Sequence, residues 1–400
     1  MELRYGTPKE AGMLPERVDR ALELCTQWVR EGHTTALSVC VARRGVIVLH
    51  EAFGRLRPEL DAPPLATDSL FPISSLTKPI TATLAMQLVE EGLLGLNRPA
   101  RDYLPELAGE GADEILVHHL LTHTSGYVWF DDEPLVTHVA RRLQAGFEPP
   151  PCPETQHPTV NALLHLFYDA PLAVPPGTQM IYADLNYQFV GEIVRRVSER
   201  RIWELAAERI FAPLGMHDSY FIVPDSAAER VVRRPPDAPL AAPISPLYQG
   251  IDSRQMQETP YAGMGVFSTP LDLARFGQCF LNQGTYGDVR LLSAATVAAM
   301  TRDQIPGVPA RFLGQHIPIA SWGYGWTVES PAKWKYYHGS LWPLGTFNHG
   351  GGGGVMLWVD REHELVGAYF EASLRFTEKQ EMLWNADLFH NVIAAAIDDD

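Results

Sequence analysis

The stretch FPISSLTKPITAT, residues 71–83, decides how the rest of the chain is interpreted. It contains two adjacent serines, and Lys78 follows Ser75 by three residues. If a helix begins at Ser75, Lys78 lies on the same helical face, within possible hydrogen-bond reach of the hydroxyl. A serine becomes a good nucleophile when a neighbouring base removes its proton, and a lysine can be that base if its pKa is lowered. The stretch therefore indicates either a nucleophile with its activating partner or an ordinary helix N-terminus.

The surroundings of this stretch favour the first interpretation. Apolar residues recur at helical spacing through residues 80–94, and glycines near the end of that run predict where the helix stops. Only five of the 32 basic residues are lysine, and an arginine could not serve as a base because it is not deprotonated in proteins. A second match to the spacing, Ser330 to Lys333, follows a predicted strand and leads into KYYHGSLW rather than into an apolar helix. We therefore favour Ser75 over both Ser74 and Ser330.

Strand patterns lie near both ends of the chain, and helical patterns lie between them. We predict helices over 15–31 and about 377–397 and strands over 36–43, 46–53, 323–329, 354–360 and 364–371. The middle alternates helical pieces with proline-rich loops (148–158, 171–177 and 234–246). This order predicts an α/β (α+β) fold, in which an antiparallel sheet from both termini is flanked by helices. We expect one domain over 1–400, with an α/β lobe of about 1–75 and 263–400, a mainly helical inserted lobe of about 76–262, and a cleft between them.

Composition excludes several classes of function. The net charge is −16 and no basic stripe is present, so we expect no nucleic-acid partner. No apolar run approaches the roughly 20 residues that cross a bilayer, and the N-terminus lacks the pattern of a signal peptide. Four scattered cysteines and three neighbouring histidines match no metal-binding spacing. We therefore expect a cytoplasmic protein without metal, cofactor or membrane contact that acts on a small neutral or cationic molecule; its oligomeric state stays open.

Two further segments could contribute to a site near Ser75. Tyr182 follows a Pro-Gly turn and precedes a helical pattern that starts with Asp184. A tyrosine beside a cation can act as base and then as acid, although an aromatic anchor for the turn is the simpler alternative. In FNHGGGGGVMLWVD (347–360), glycines open a strand, which is typical of a close approach between backbone and ligand. No Lys-Ser/Thr pair follows these glycines, so they are not a phosphate-binding loop.

Taken together and in this order, the three segments resemble the serine β-lactamase and D,D-peptidase superfamily, most closely its class C-like branch with the family VIII carboxylesterases. Ser75-Leu-Thr-Lys78 matches its S-x-x-K motif, Tyr182-Ala-Asp184 its Y-x-N motif, and His349-Gly-Gly351 its H/W-x-G motif. The stretches LLTHTSGY, GTQMIYADLNYQFVGEIV and GMGVFSTPLDLARF also resemble the family. The similarity extends from about residue 15 to the C-terminus.

The resemblance implies a role for each matched residue. Ser75 would be the acylated nucleophile, Lys78 its activating partner and Tyr182 the group that carries the proton to the leaving group. Which of Lys78 and Tyr182 is the general base stays open, because the pair titrates as one unit. The N–H groups of Ser75 and Gly352 would form the oxyanion hole.

Other residues are candidates for substrate binding or for packing. Gly350, together with the rest of the third motif, would lie along the substrate, and so would Asp184 of the second motif. Three aromatic residues on loops expected to face the cleft could line an acyl or alcohol pocket, and packing is the alternative for each: Trp129, Phe130 and Trp342. His123, within LLTHTSGY, is expected to be structural rather than catalytic.

Two departures from the family pattern indicate the substrate. Asp184 replaces the usual asparagine, and a carboxylate only accepts hydrogen bonds, so it suits a β-lactam side-chain amide less well and could keep Lys78 charged. His349 stands where β-lactamases and D,D-peptidases keep a lysine, and a histidine is largely neutral near pH 7. A second H-x-G reading, His338-Gly-Ser340, is disfavoured because two strands joined by a tight turn follow His349. A neutral substrate is therefore expected.

We expect a serine carboxylesterase that cleaves small, neutral, short-chain esters. The alternatives within the fold are a β-lactamase, a D-amino-acid peptidase or amidase, and an acyltransferase. A penicillin-recognising sensor with little turnover is the alternative from another class. No serine stands in a G-x-S-x-G motif, which disfavours an α/β-hydrolase nucleophile.

Overall fold

The computed structural model describes residues 1–128, 132–238, 240–241, 249–312, 315–331, 339–374 and 383–399. The strands are β1 (Arg4–Tyr5), β2 (Thr34–Arg43), β3 (Val46–Gly54), β4 (Phe71–Pro72), β5 (Met180–Ile181), β6 (Phe267–Ser268), β7 (Thr285–Tyr286), β8 (Val289–Arg290), β9 (Ala310–Phe312), β10 (Gln315–Ile317), β11 (Thr327–Val328), β12 (Phe347–Gly351), β13 (Val355–Asp360) and β14 (Leu365–Ser373). The α-helices are α1 (Pro15–Arg30), α2 (Thr77–Glu90), α3 (Val117–Leu121), α4 (Glu133–Gln144), α5 (Pro158–Phe167), α6 (Asp184–Ser198), α7 (Ile202–Ala206), α8 (Asp225–Ala228), α9 (Arg254–Glu258), α10 (Pro270–Leu281), α11 (Ala294–Met300) and α12 (Trp384–Ala394).

Strands from both ends of the chain form one seven-stranded sheet in the order β1-β3-β2-β14-β13-β12-β11. All neighbours are antiparallel except β1 and β3, which run parallel. The N-terminal hairpin meets the C-terminal strands between β2 and β14, where Cys40 lies opposite Ala368. This arrangement confirms the predicted α/β fold with an antiparallel sheet built from both termini. The division into two lobes at the predicted boundaries stays a prediction.

Most of the predicted elements are present, with two differences in extent. The strand predicted over 323–329 is wrong for most of its length, because only Thr327 and Val328 pair with β12. A turn precedes them: the N–H of Gly323 bonds the carbonyl of Trp326, and Gly325 has a φ of +85°, which a strand does not allow. The C-terminal helix is observed over Trp384–Ala394, and residues 377–382 of its predicted range lie outside the described residues.

The two faces of the sheet carry different layers, because side chains alternate along each strand. In β13, Val355, Leu357 and Val359 belong to the inner core cluster, which also contains residues of α2, α6 and α10. Met356 and Trp358 point the other way, into the outer core cluster formed with α1 and α12. The inner face is therefore the one that the Ser75 segment approaches.

Helix α2 is buried around nearly its whole circumference. Eleven of its 14 residues are buried, including Lys78, so its burial is not restricted to the apolar stripe read from the sequence. Its main helical neighbour is α6, which begins at Asp184. Among the described residues, no helix is both long and apolar enough to cross a membrane.

Candidate active site

The Ser75 segment joins a strand to the central helix. After β4, a single 3₁₀ turn, Ser74–Leu76, leads directly into α2. The N–H of Ile73 bonds the carbonyl of Val266, which anchors the segment just before the turn. Within residues 71–86 every residue except Ser75 is buried, and Ser75 is half-buried. Ser75 is therefore the one residue of 71–86 that keeps some exposure to solvent.

The ammonium group of Lys78 is fully enclosed and uses all three of its N–H donors. Its Nζ donates to Ser75 Oγ at 3.2 Å, to Asp184 Oδ1 at 2.9 Å and to the carbonyl oxygen of Gly263 at 2.9 Å. The side chains of Lys78 and Asp184 are both 0% exposed. The predicted Ser75–Lys78 contact is thus present, and Asp184 and Gly263 supply the two other acceptors.

Asp184 is an internal counter-ion rather than a group directed at the cleft. Its Oδ1 accepts from Lys78, and its Oδ2 accepts from Gln188 Nε2 at 2.7 Å. The Oε1 of Gln188 in turn accepts from the N–H of Ala262 at 3.2 Å. A Cβ on Gly263 would lie 2.0 Å from Asp184 Oδ1, so this position requires glycine. Both carboxylate oxygens are occupied, which disfavours the substrate-binding role that the sequence suggested.

Sequence reasoning missed Gln188 and Gly263 as site residues. Gln188 follows Asp184 by four residues on α6, a spacing that places the two side chains together and was visible in the sequence. Gly263 reaches the site only through tertiary structure, although the stretch that begins with it was recognised as family-like.

The ion pair controls the charge of Lys78. Burial by itself lowers the pKa of Lys78, but the neighbouring Asp184 carboxylate and the Tyr182 oxygen more than offset this, and the net pKa is raised. Lys78 is therefore a cation in the resting protein near neutral pH.

Tyr182 follows β5 and lies over Lys78. Tyr182 is 8% exposed, and the centroid of its ring lies 5.0 Å from Lys78 Nζ. Burial raises the pKa of Tyr182, while the Lys78 cation and hydrogen bonds with Ser75 and Lys78 reduce part of that rise. The hydroxyl groups of Ser75 and Tyr182 and the ammonium of Lys78 therefore form one hydrogen-bonded cluster.

The ring of His123 packs against the ring of Tyr182. The two ring centroids are 4.4 Å apart, and His123 Nδ1 accepts from the N–H of Ala183 at 3.3 Å and from Asn186 Nδ2 at 3.2 Å. His123 itself has a φ of +58° and is fully buried. Burial and the Lys78 cation hold its pKa well below the usual range. These contacts agree with the structural role expected for His123.

His349 lies on β12 and faces the inner side of the sheet, opposite Leu357. Its ring centroid is 6.3 Å from that of Tyr182, and its Nδ1–H donates to the carbonyl of Gly350 at 2.7 Å. Burial, together with the Lys78 cation, lowers the pKa of His349 to about 3. His349 is therefore neutral at any pH at which the protein would work.

The glycine run brings a backbone edge against the Ser75 turn. A Cβ on Gly351 would lie 2.3 Å from the carbonyl oxygen of Ile73, so only glycine allows this approach. Ser74 Oγ donates to the carbonyl of Gly352 at 2.9 Å. The N–H of Ser75 lies in the first turn of a helical segment and has no intrahelical acceptor, and Gly352 follows the last paired residue of β12. The backbone segments that carry the two N–H groups predicted for the oxyanion hole therefore meet at the Ser74–Gly352 hydrogen bond.

The predicted pocket aromatics have different outcomes. Trp129 and Phe130 lie outside the described residues. Trp342 is buried in the outer cluster, 5.2 Å from the His390 ring, on the face of the sheet opposite Ser75, so packing rather than a pocket wall fits its position. Besides His123, the rings of Trp322 and Phe312 pack on Tyr182, at 5.7 Å and 5.2 Å between centroids.

The two alternative motifs, Ser330 to Lys333 and His338 to Ser340, extend outside the described residues. Lys333 and His338 lie there, and Ser330 is half-buried after β11.

Comparison with known proteins shows which family the chain resembles. A family model described as Beta-lactamase matches residues 18–390. Protein Rv1367c of Mycobacterium tuberculosis is 29% identical over 339 residues, which cover 76% of this chain and 78% of that protein. Esterase EstB of Burkholderia gladioli is 28% identical over 374 residues, which cover 88% of each chain.

Solved structures confirm the predicted β-lactamase-like fold. The crystal structure of a family VIII carboxylesterase matches with a TM-score of 0.73 at 22% identity and covers 96% of this chain and 98% of that chain. A penicillin-binding protein homologue from Caulobacter crescentus and a D-amino acid amidase from Ochrobactrum anthropi share the fold as well, with TM-scores of 0.71 and 0.70. The fold is therefore compatible with several substrate classes.

Proposed function

This chain belongs to the Beta-lactamase family and is a serine hydrolase of the β-lactamase fold, and we propose that it is a carboxylesterase acting on small, neutral, short-chain esters. Ser75 would carry the acyl group. The similarity to an esterase over 88% of the chain supports the proposal.

The observation that carries the proposal is the state of His349. It occupies the position where relatives that bind a substrate carboxylate keep a lysine, yet its ring is enclosed and its pKa is lowered to about 3 by burial and by the Lys78 cation. Its Nδ1–H is already bonded to Gly350. His349 therefore offers a carboxylate no positive charge, and a substrate without a carboxylate is favoured.

Acylation would begin with attack of Ser75 Oγ on the ester carbonyl. The serine proton passes to the Tyr182–Lys78 pair as the new C–O bond forms. Because Asp184 keeps Lys78 cationic, Tyr182 is the more suitable acceptor once the pair has lost a proton, and the adjacent ammonium stabilises the resulting phenolate. The carbonyl oxygen becomes an oxyanion, which the N–H groups of Ser75 and Gly352 would stabilise.

The same groups would complete the reaction. Tyr182 returns the proton to the alkoxide as the ester C–O bond breaks and the alcohol leaves. A water molecule then attacks the acyl-enzyme, gives its proton to Tyr182 and releases the acid, while Ser75 recovers its proton. Each step uses a group already within the Ser75–Lys78–Tyr182 cluster.

Two alternative substrate classes fit the site less well. Penicillins and peptidoglycan stem peptides carry a carboxylate that His349 cannot pair. A D-amino acid amide carries an ammonium group, and the acidic Asp184 has both oxygens occupied by Lys78 and Gln188. A neutral ester needs neither partner.

The test compares Ser75→Ala with Ser330→Ala on p-nitrophenyl butyrate. The two serines begin the two S-x-x-K sequences of the chain, so each variant controls for the other. We expect Ser75→Ala to lower kcat by at least about 10³-fold and Ser330→Ala to leave it within about two-fold. Loss of activity in folded Ser330→Ala, with Ser75→Ala still active, would show that the nucleophile is misassigned.

A substrate panel then decides the class. Esters from acetate to laurate, nitrocefin and D-phenylalanine amide are compared by kcat/KM, and the short esters are expected to lead. A single-turnover burst on p-nitrophenyl acetate with no steady state would favour the penicillin-recognising sensor instead.

A further inference from the structure

The glycine loop 352–354, between β12 and β13, has every carbonyl bonded to the protein. The carbonyl of Gly352 accepts from Ser74 Oγ at 2.9 Å. The carbonyl of Gly353 accepts from Arg234 Nη2 at 3.0 Å and from the N–H of Ser373 at 3.0 Å. The carbonyl of Gly354 accepts from the N–H of Glu371 at 3.0 Å. These hydrogen bonds therefore restrain a run of glycines that would be flexible on composition alone.

Arg234, which donates to the Gly353 carbonyl, is a buried cation, and a cation is costly to bury. The residue is 4% exposed, and its Nε and Nη1 are buried with no hydrogen-bond partner among the described residues. Burial lowers the pKa of Arg234 to about 10, and the carboxyl groups of Asp252 and Glu371 limit the decrease, so it is still a cation near neutral pH. A buried guanidinium with unpartnered N–H groups costs stability, which calls for a compensating role.

Ser74 has a strained backbone conformation, which the hydrogen bond from its hydroxyl explains. Its φ of +45° is in the left-handed region, which is unfavourable for a serine. This conformation accompanies the bond from its hydroxyl to Gly352, next to the nucleophile. Two side chains from distant parts of the sequence therefore hold two successive carbonyls of one loop.

We propose that Arg234 and Ser74 are positioning residues for the oxyanion hole, which hold Gly352 against the Ser75 turn by bonding the carbonyls of Gly352 and Gly353. The β12 ladder fixes the peptide on the N-terminal side of Gly352, and these two bonds fix the peptides that follow it. The Arg234 charge behind the loop also favours negative charge in front of it. The inference rests on Ser75 being the nucleophile and does not depend on the ester class.

The experiment measures two reactions of Ser75 in Arg234→Met, Arg234→Lys and Ser74→Gly. The first is steady-state hydrolysis of p-nitrophenyl butyrate. The second is phosphonylation by an alkyl fluorophosphonate, in which the Oγ–P bond forms, fluoride leaves, the serine proton passes to the Tyr182–Lys78 pair and the phosphoryl oxygen occupies the oxyanion hole. Ser74→Gly removes the hydroxyl and keeps the left-handed backbone accessible.

The matched control is Arg43→Met. Arg43 is also fully buried and donates to backbone carbonyls, those of Ala11 and His363 among them, but at the far end of β2 from the site. All rates are expressed per folded molecule.

We expect Arg234→Met and Ser74→Gly to slow both kcat and phosphonylation by about 10- to 100-fold with KM changed less than about three-fold, because the oxyanion hole acts on the transition state. Arg234→Lys should recover part of the rate. Arg43→Met should leave both rates within about two-fold. If Arg234→Met does not fold, Ser74→Gly decides the test.

Three outcomes would contradict the proposal or separate it from the proposed function. Wild-type rates in folded Arg234→Met and Ser74→Gly, or equal slowing in Arg43→Met, overturn the positioning role. Wild-type protein that is phosphonylated at Ser75 but cleaves no ester overturns the ester proposal alone, and the phosphonylation ratios then decide the positioning role. Equal phosphonylation of Ser75→Ala and wild type overturns both.

Discussion

The two faces of the seven-stranded sheet bury their side chains for different purposes. On the inner side, the fully buried groups include a charged pair, Lys78 and Asp184, with every donor and acceptor used. On the outer side, Trp358 and Tyr369 pack with Phe389 of α12, at 6.2 Å and 5.3 Å between ring centroids. One face holds polar chemistry in place, and the other holds the sheet to its helices.

The groups buried on the two faces should also contribute differently to stability. A buried ion pair contributes little net stability, because the cost of removing both charges from water offsets their attraction. A buried aromatic ring contributes several kcal/mol through burial and packing. Changes on the inner face should therefore reduce catalysis more than stability, and changes on the outer face should do the reverse.

The largest expected effect comes from a pair of identical substitutions. Tyr182→Phe removes the hydroxyl from the Ser75–Lys78 cluster and should lower kcat at least about 10³-fold, equivalent to about 4 kcal/mol in the barrier. Tyr369→Phe removes a hydroxyl that donates to Glu371 at 2.9 Å on the outer face and should leave kcat within about two-fold. Steady-state kinetics and urea unfolding of both variants provide the comparison. Comparable losses of kcat in the two folded variants would show that the faces are not separated in function.

The second prediction tests the outer face by itself. Trp358→Ala empties a site that is 0% exposed between β13 and α12, and it should lower the free energy of unfolding by about 3–5 kcal/mol. The kcat of the remaining folded protein should stay near the wild-type value, because Trp358 points away from Ser75. Urea denaturation gives the first quantity and active-site titration the second. A stability loss below about 1 kcal/mol would contradict the role assigned to this cluster.

The sequence was most informative where the site depends on local spacing. Ser75 and Lys78 are three residues apart in one helical segment, so their contact follows from helix geometry. The family-like order of motifs then brought Tyr182 and the glycine run to the same place. The fold class followed for a similar reason, because alternating patterns at both ends of the chain allow few arrangements other than a shared sheet.

Residues joined only by tertiary structure could not be found in this way. Gly263 and Arg234 reach the site through long loops with no pattern of their own. The face to which Trp342 points depends on how the chain crosses from the loop into β12, which no periodicity records. The short β11 has a similar explanation, because the turn at Gly323 and Gly325 overrides an apolar pattern typical of a strand.

The third prediction concerns Glu371, an outer-face group whose pKa is moved into the working pH range. Burial raises the pKa of Glu371 to about 7, against hydrogen bonds from Asn385 of α12, from Tyr369 and from Ser373 and the charge of Arg234. Because the folded pKa exceeds the unfolded one, the folded state holds the proton more tightly. Its stabilising contribution is complete below about pH 4.5 and is lost as the pH rises to about 7, at up to about 1.4 kcal/mol per pH unit.

Glu371→Gln should remove this slope. The difference in unfolding free energy between wild type and variant, measured by urea denaturation at pH 5, 6, 7 and 8, should move by about 2.5 kcal/mol in favour of the variant across that range. Glu364→Gln, at a half-exposed site beside Arg44, should keep the wild-type slope. A difference that does not change with pH would show that Glu371 is already ionised at pH 5.

The smallest expected effect comes from removing the negative charge of Asp184 on the inner face. Asp184 raises the pKa of Lys78 against the effect of burial, and it also raises that of Tyr182. Whichever of the two groups yields the proton, Asp184→Asn should make the pair easier to deprotonate. The acid limb of the kcat/KM profile should therefore move to lower pH, by about one unit, which corresponds to about 1.4 kcal/mol. Hydrolysis of p-nitrophenyl acetate between pH 5 and 9 measures it.

The control for this shift must keep the hydrogen bonds and move only the charge. Asp184→Asn alone also disturbs the bond from Gln188 Nε2, which donates to the lost carboxylate oxygen. In Asp184→Asn combined with Gln188→Glu, the amide and carboxylate exchange places, so the bond between them is retained and the negative charge moves to a side chain that does not contact Lys78 directly. The acid limb of the double variant should lie between those of wild type and the single variant. A limb that moves to higher pH in the single variant would mean that Asp184 does not supply the charge that keeps Lys78 protonated.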